Sequence, residues 1–196
     1  MTSLDAVRAL ENLRQRVGKL ESYDAPLGVA RIEIQALTSG QTSITFSSIP
    51  ATVNHLILMW QARGEAVATS AALLLRFNSD ATATYDYSLN QTANSTNTAT
   101  TATAQTAVRG GIMTAASAAA GLAGAGVITI YNINGTAFQK ELTYECHVRL
   151  GTSAADIVRE DGAGNWRNTD AITSLTVLPS SSNLAVNSLF TLYGVT

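Results

Sequence analysis

Charge is the scarcest commodity in this 196-residue chain: 12 Lys and Arg and 14 Asp and Glu amount to 13% of it, with a formal net charge of -2. Nucleic acid is held by clustered cations, and no basic stripe occurs, so a nucleic-acid partner is not expected. No apolar run approaches the ~20 residues of a bilayer span, so membrane insertion is not expected either. The opening Met1-Thr2-Ser3-Leu4-Asp5 lacks the charged and apolar regions of a secretory signal. Cysteine is nearly absent: Cys146 alone excludes an internal disulfide, and within Tyr144-Glu145-Cys146-His147-Val148 it reads as a small core hydrophobe.

Histidine is equally sparse, and nucleophilic catalysis needs a nucleophile, a base and an orienting group. His55 and His147 both fall inside strand-like runs and read as satisfied strand residues. Cys146 and His147 are adjacent, so a strand points them to opposite faces and prevents their acting as a pair. Zinc spacing, the phosphate loop and the dinucleotide glycine order are missing, the last despite Gly121-Leu122-Ala123-Gly124-Ala125-Gly126. No enzyme, cofactor or metal is therefore expected.

What the chain does have is a helical stretch followed by many short strands. Over Leu4–Leu20, taking Leu10 and Val17 as a positions makes Ala6, Leu13 and Leu20 d positions. Arg16 then falls at g and Glu21 at the following e, where residues of neighbouring helices pair across the apolar seam. Arg16-Val17-Gly18-Lys19-Leu20-Glu21 resembles the trimer signature of short coiled coils, in which Arg, an aliphatic, two free positions, an aliphatic and Glu follow one another. A helix this short is marginal alone, and Gly18 costs it a further ~1 kcal/mol against Ala. It forms by association with other copies, or as an amphipathic helix docked on its own domain. Thr2 or Ser3 would cap it, and Pro26 ends it by biasing Ala25 away from helix. The predicted organisation is a coiled-coil helix over 1–22, a linker over 23–28 and a β domain over 29–196.

From Val29 the helical period gives way to runs bounded by turns: Val29–Leu37, Ser43–Phe46, Leu56–Ala62, Ala71–Phe77, Thr84–Tyr87, Arg109–Thr114, Val127–Ile133, Ala137–Leu150, Ala171–Leu178 and Leu189–Tyr193. Ile32 and Ile34 against Arg31, Glu33 and Gln35 predict a strand buried on one side. Asn134-Gly135 predicts a two-residue hairpin turn, and Asn78-Ser79-Asp80 a second turn. Asn90–Thr106, nearly all Thr, Ala, Asn, Ser and Gln, reads as an exposed loop or a weak solvated strand. Ala115–Gly126 reads as a short helix or a tight loop whose small residues suit close approach, for example around a threefold axis. About ten short strands and no alternating helices predict a jelly-roll-like antiparallel β-sandwich.

Two ligand readings remain open in the residues. Asp156, Glu160, Asp161 and Asp170, with Asn165 and Trp166 between them, offer carboxylates for calcium or for sugar hydrolysis, although solvated turns explain them as well. Aromatic faces can pack on sugars while Asn, Asp and Thr orient hydroxyls. Trp60 reads as core; Tyr85, Tyr87 and Trp166 are the ligand-facing candidates.

Three phrases give the sequence a family resemblance. Ser43-Ile44-Thr45-Phe46-Ser47-Ser48-Ile49-Pro50, Leu74-Leu75-Arg76-Phe77-Asn78-Ser79-Asp80 with Tyr85, and Ala171-Ile172-Thr173-Ser174-Leu175 with the later Ser188-Leu189-Phe190-Thr191-Leu192-Tyr193-Gly194-Val195 resemble small bacteriophage virion structural proteins of the tail-fibre, receptor-binding or head-decoration type. The resemblance implies a homotrimer on a virion, assembled in a host cytoplasm. Its partners would be other tail or capsid proteins and, for a fibre, a host surface glycan. A capsid-decoration or head-fibre protein and a free carbohydrate-binding module are the alternatives.

Overall fold

The computed structural model describes residues 28–196. The predicted helix over 1–22, most of the linker, and the seam residues Ala6, Leu10, Leu13, Arg16, Val17, Leu20 and Glu21 lie outside the described residues. The described chain is mainly β, built of antiparallel strands. In order these are β1 (Val29–Ala36), β2 (Ile44–Phe46), β3 (His55–Ala62), β4 (Ser70–Phe77), β5 (Tyr85–Ala93), β6 (Thr96–Gln105), β7 (Val108–Thr114), β8 (Gly124–Tyr131), β9 (Lys140–Arg149), β10 (Ile157–Trp166), β11 (Leu175–Pro179) and β12 (Leu189–Val195).

They form two sheets. Eight strands run in the order β1-β12-β3-β8-β9-β10-β5-β6, and four in the order β2-β11-β4-β7. Alternation decides which side chains enter the space between. In β9 every even-numbered residue from Lys140 to Val148 is buried and every odd one exposed. β3 likewise buries Leu56, Leu58, Trp60 and Ala62, with His55 and Ile57 half-buried and Met59 and Gln61 exposed between them. Leu73, Leu75 and Phe77 of β4 and Leu175 and Val177 of β11 meet them from the smaller sheet in one apolar cluster. Removing that apolar surface from water, at about 25 cal/mol per Å², is the main force holding the two sheets together.

Several expectations change here. β1 is an edge strand with a register shift between Arg31 and Glu33. The shift breaks the period of two, so Ile32 is half-buried against the core while Ile34 stands 46% exposed on the other face. The stretch 96–105, left between loop and weak strand, is the full strand β6, and β5 runs on to Ala93 rather than stopping at Tyr87. The turn joining these two is Asn94-Ser95, with φ of 46° and 65°, the positive pair that a tight hairpin turn requires. Asn134-Gly135 does not form that turn: β8 and β9 are joined by the longer segment 132–139, in which Asn132 carries the positive φ and Gly135 N–H donates to its carbonyl. Asn78 and Ser79 both adopt positive φ, as a turn there demands. The segment 157–166, which falls outside the expected strands and carries carboxylates read as solvated turn residues, is the ten-residue strand β10. Ala115–Ala123 is a loop, and Gly124–Gly126 open β8.

Candidate functional site

The acidic residues do not converge. β10 separates them: Asp156 precedes its start and caps a short turn with Ser153, Asp170 follows its far end, Glu160 points inward and Asp161 outward. Glu160 is fully buried and is the centre of a polar cluster between the sheets. Arg109 of β7 donates to both its oxygens at 2.9 and 2.7 Å, Tyr144 of β9 donates at 3.0 Å and Gln91 of β5 at 3.3 Å. Burial, reinforced by the charge of Glu160, pushes the Tyr144 phenol far above its usual range, so it stays a donor. Burial disfavours the Arg109 cation, yet its hydrogen bonds and attraction to Glu160 raise its pKa on balance. The cluster ties the sheets together and leaves Glu160 no open side. Its sequence signal was Val158, Glu160, Gly162, Gly164 and Trp166 recurring at every second position, a buried strand face carrying one carboxylate.

The ligand-facing aromatics are placed differently from the expectation. Tyr85 is fully buried and Trp166 is 1% exposed. Their rings stack at 6.3 Å and both pack on Phe77. Neither offers a face to a sugar; they are core residues, as Trp60 is. Tyr87 is half-buried on the same inward side of β5. The order of this corner comes from Asp80, which accepts from Thr82 N–H at 2.8 Å, from the hydroxyls of Thr82 and Thr84, and from Trp166 Nε1 at 2.8 Å. Burial alone would raise the Asp80 pKa, but these bonds outweigh it and hold the carboxyl well below its usual range. Burial also lifts the Tyr85 phenol to about 12.

A pH dependence follows. A carboxylate with a depressed folded pKa contributes stability above its unfolded value of about 3.9, and that contribution disappears as pH falls further. Thermal melts from pH 7 down to pH 2.5 are expected to drop more steeply below pH 4 for the parent than for Asp80→Asn. The variant is also expected to be less stable at pH 7, because an amide nitrogen or oxygen cannot accept all four donors. Parallel pH profiles would refute this role.

His55 Nδ1 accepts the Asn132 N–H at 3.1 Å, as a satisfied strand residue should. Cys146 Sγ lies inside the core, accepting from Ile112 N–H at 3.3 Å, and burial pushes its thiol up to about 12. His147 faces the opposite side of the sheet. Among the described residues, no group of three or more His, Cys, Asp or Glu is placed to hold a metal ion.

Two surfaces remain that can meet a partner. The first is one end of the sandwich. Val29 pairs with Val195, and Thr196 N–H donates to Gly28 at 2.8 Å, so both ends of the described chain lie together. At the opposite end, strand pairing brings together the connections 37–43, 63–69, 94–95, 115–123, 150–156 and 180–188. These loops are short-chained and nearly uncharged. Val67 stands 96% exposed among them. Arg63 organises the small-residue loop by donating to the carbonyls of Ala116, Ala118, Ala119 and Leu122 at 2.8 to 3.3 Å.

The second is the outward face of the larger sheet, which changes character halfway across. On β1, β12, β3 and β8 the outward positions include Ile34, Leu189, Met59, Val127 and Tyr131, all more than a third exposed. Arg31 is the single Asp, Glu, Lys or Arg among the outward positions of these four strands. On β9 and β10 the outward positions include Glu141, Glu145, Arg149, Arg159 and Asp161, with Arg159 and Glu145 paired at 2.6 Å. A concavity of about 790 Å³ lies along this boundary, with Met59, Val127, Leu189 and Tyr193 on one side and Glu145 and Arg159 on the other. Sequence reasoning did not single out this face, because the apolar residues that make it come from four strands far apart in the chain. Comparison with known protein families and with curated protein sequences gives no match to this chain.

Proposed function

We propose that this chain is the subunit of a homotrimeric bacteriophage virion protein of fibre type. Residues 1–22 form the stalk through the Ala6, Leu10, Leu13, Val17 and Leu20 seam and Arg16–Glu21 pairs, and the domain from Val29 is a jelly-roll head. The strand orders β1-β12-β3-β8 and β2-β11-β4-β7 support the jelly-roll description, since the chain crosses between two four-stranded halves at nearly every step. The β9–β10 and β5–β6 hairpins extend the first half.

The observation that carries the reading is the polarity of the head. The chain enters β1 at one end, and six small, weakly charged loops cluster at the other, about 25 Å away for strands of eight residues. A stalk leaving the first end would present the second end outward, to a host surface glycan in the fibre reading. Three weak sites on one stalk then act by avidity, with no single tight site required. The role is attachment and involves no reaction.

Sedimentation equilibrium of the full chain tests the assembly. The expected mass is three times the 20.5 kDa of one chain. Leu13→Asp is expected to raise the concentration of half-dissociation at least tenfold, by placing a charge in the seam. A parent that stays monomeric at every concentration would overturn the proposal.

A further inference from the structure

We infer that the apolar half of the larger sheet's outward face is where copies of this chain meet, three such faces turning inward around a common axis. This rests on the trimeric reading above and deepens it: it assigns the head its own subunit contact, separate from the heptad.

Three observations on the face lead there. Its border is abrupt: the uncharged outward side chains of β12, β3 and β8 give way at β9 to Glu141, Glu145 and Arg149. Charges at the border form a solvated rim, and the near absence of charge within it lets identical surfaces approach without like-charge repulsion. A face for nucleic acid would carry cations instead, and a face for sugar would carry more polar groups.

The second observation is width. Four strands about 4.8 Å apart span about 19 Å, and an equilateral prism of that side has its walls about 5.5 Å from the axis; two packed sheets lie about 10 Å apart, so each sits about 5 Å from the midplane. Side chains of ordinary length, such as Met59 and Val127, therefore reach the middle and fill it. Three copies of a much wider apolar face would leave a channel, and three of a narrower one would collide.

Area is the third. Seven residues along four strands give a face of about 450 Å² per copy, against about 800 Å² per partner in a stable pairwise contact. The face is thus too small to hold copies together strongly by itself. It is large enough to orient heads that a stalk already keeps at high local concentration.

The test compares four full-length proteins by sedimentation equilibrium: the parent, Leu13→Asp, Met59→Glu with Leu189→Glu, and all three substitutions together. Met59 and Leu189 are 48% and 41% exposed, so the acidic substitutions leave the core intact, and matched thermal melts of the two Leu13→Asp proteins verify this. The face substitutions are expected to raise the half-dissociation concentration at least tenfold in the Leu13→Asp background. Equal dissociation with and without the face substitutions, in a parent that is trimeric, would overturn this inference and leave the stalk reading standing. Dissociation that responds to the face but not to Leu13→Asp would support the face and overturn the stalk. A parent that forms dimers, or none at all, would overturn the threefold arrangement.

Discussion

Arg109→Leu is expected to lower the unfolding free energy by about 3–5 kcal/mol, the range for removing one partner of a buried ion pair. Glu160 would be left inside the core with Tyr144 and Gln91 as donors but without its counter-charge. Because small domains are stable by only about 5–15 kcal/mol, this one change removes a large part of the total. Urea unfolding at pH 7 measures it directly. The double variant Arg109→Leu with Glu160→Leu is expected to recover much of the loss, since a buried pair replaced by apolar groups of similar size is often neutral. A double variant no better than the single one would mean that the cluster's role is geometric packing, not charge neutralisation.

The second large effect is expected at Gly126. A Cβ there would lie 2.6 Å from Cys146 Cβ, 2.7 Å from the Glu145 carbonyl oxygen and 2.9 Å from the Trp60 ring. The ring of Trp60 is held between Gly126 on the neighbouring strand and Gly111, whose hypothetical Cβ would sit 2.8 Å from it. The Glu145 oxygen belongs to the sheet ladder and cannot swing aside as a side chain tip would. Gly126→Ala is therefore expected to cost about 3 kcal/mol, at the upper end for overpacking a filled core. Gly121→Ala serves as the contrast. Its Cβ meets nothing within 4 Å, so only its φ of +78° opposes the change, at a cost of about 1–2 kcal/mol. Equal losses at the two positions, measured by the same urea titration, would refute the steric account.

The antiparallel β character of the described region was legible because most strands present a buried and a solvated face. The alternation of Leu142, Tyr144, Cys146 and Val148 with Glu141, Thr143, Glu145 and His147 in β9 announces that arrangement directly. β6 was harder, since nearly every one of its residues is solvated, and a strand with two polar faces has no hydrophobic period to read. β10 failed for another reason: Glu160, Gly162 and Gly164 occupy inward positions where apolar residues are expected, because Gly162 makes room for the Tyr144 ring and Glu160 has a cation waiting across the sandwich. The aromatic candidates misled in the same way. Tyr85 and Trp166 look like sugar platforms beside polar neighbours, yet one of those neighbours, Asp80, lets their polar atoms be buried: its carbonyl accepts from the Tyr85 hydroxyl and its carboxylate from Trp166 Nε1, while Thr82 and Thr84 hold that carboxylate in place. Local sequence displays the polar group; the residue that satisfies it can lie 86 positions away, as Trp166 does from Asp80.

The place of β12 between β1 and β3 sets a timetable for the newborn chain. Among the described strands β1 pairs with β12 alone, so it emerges from the ribosome ahead of its partner and waits while more than 150 residues are added. At typical rates of synthesis, about 5–20 residues per second, that delay is on the order of ten seconds. The residues proposed as the stalk precede β1 in the sequence, so neighbouring nascent chains on one message have time to find each other through them before any head closes. In the proposed trimer, partners would then be chosen among siblings during translation, with the sheet sealing afterwards around copies already gathered.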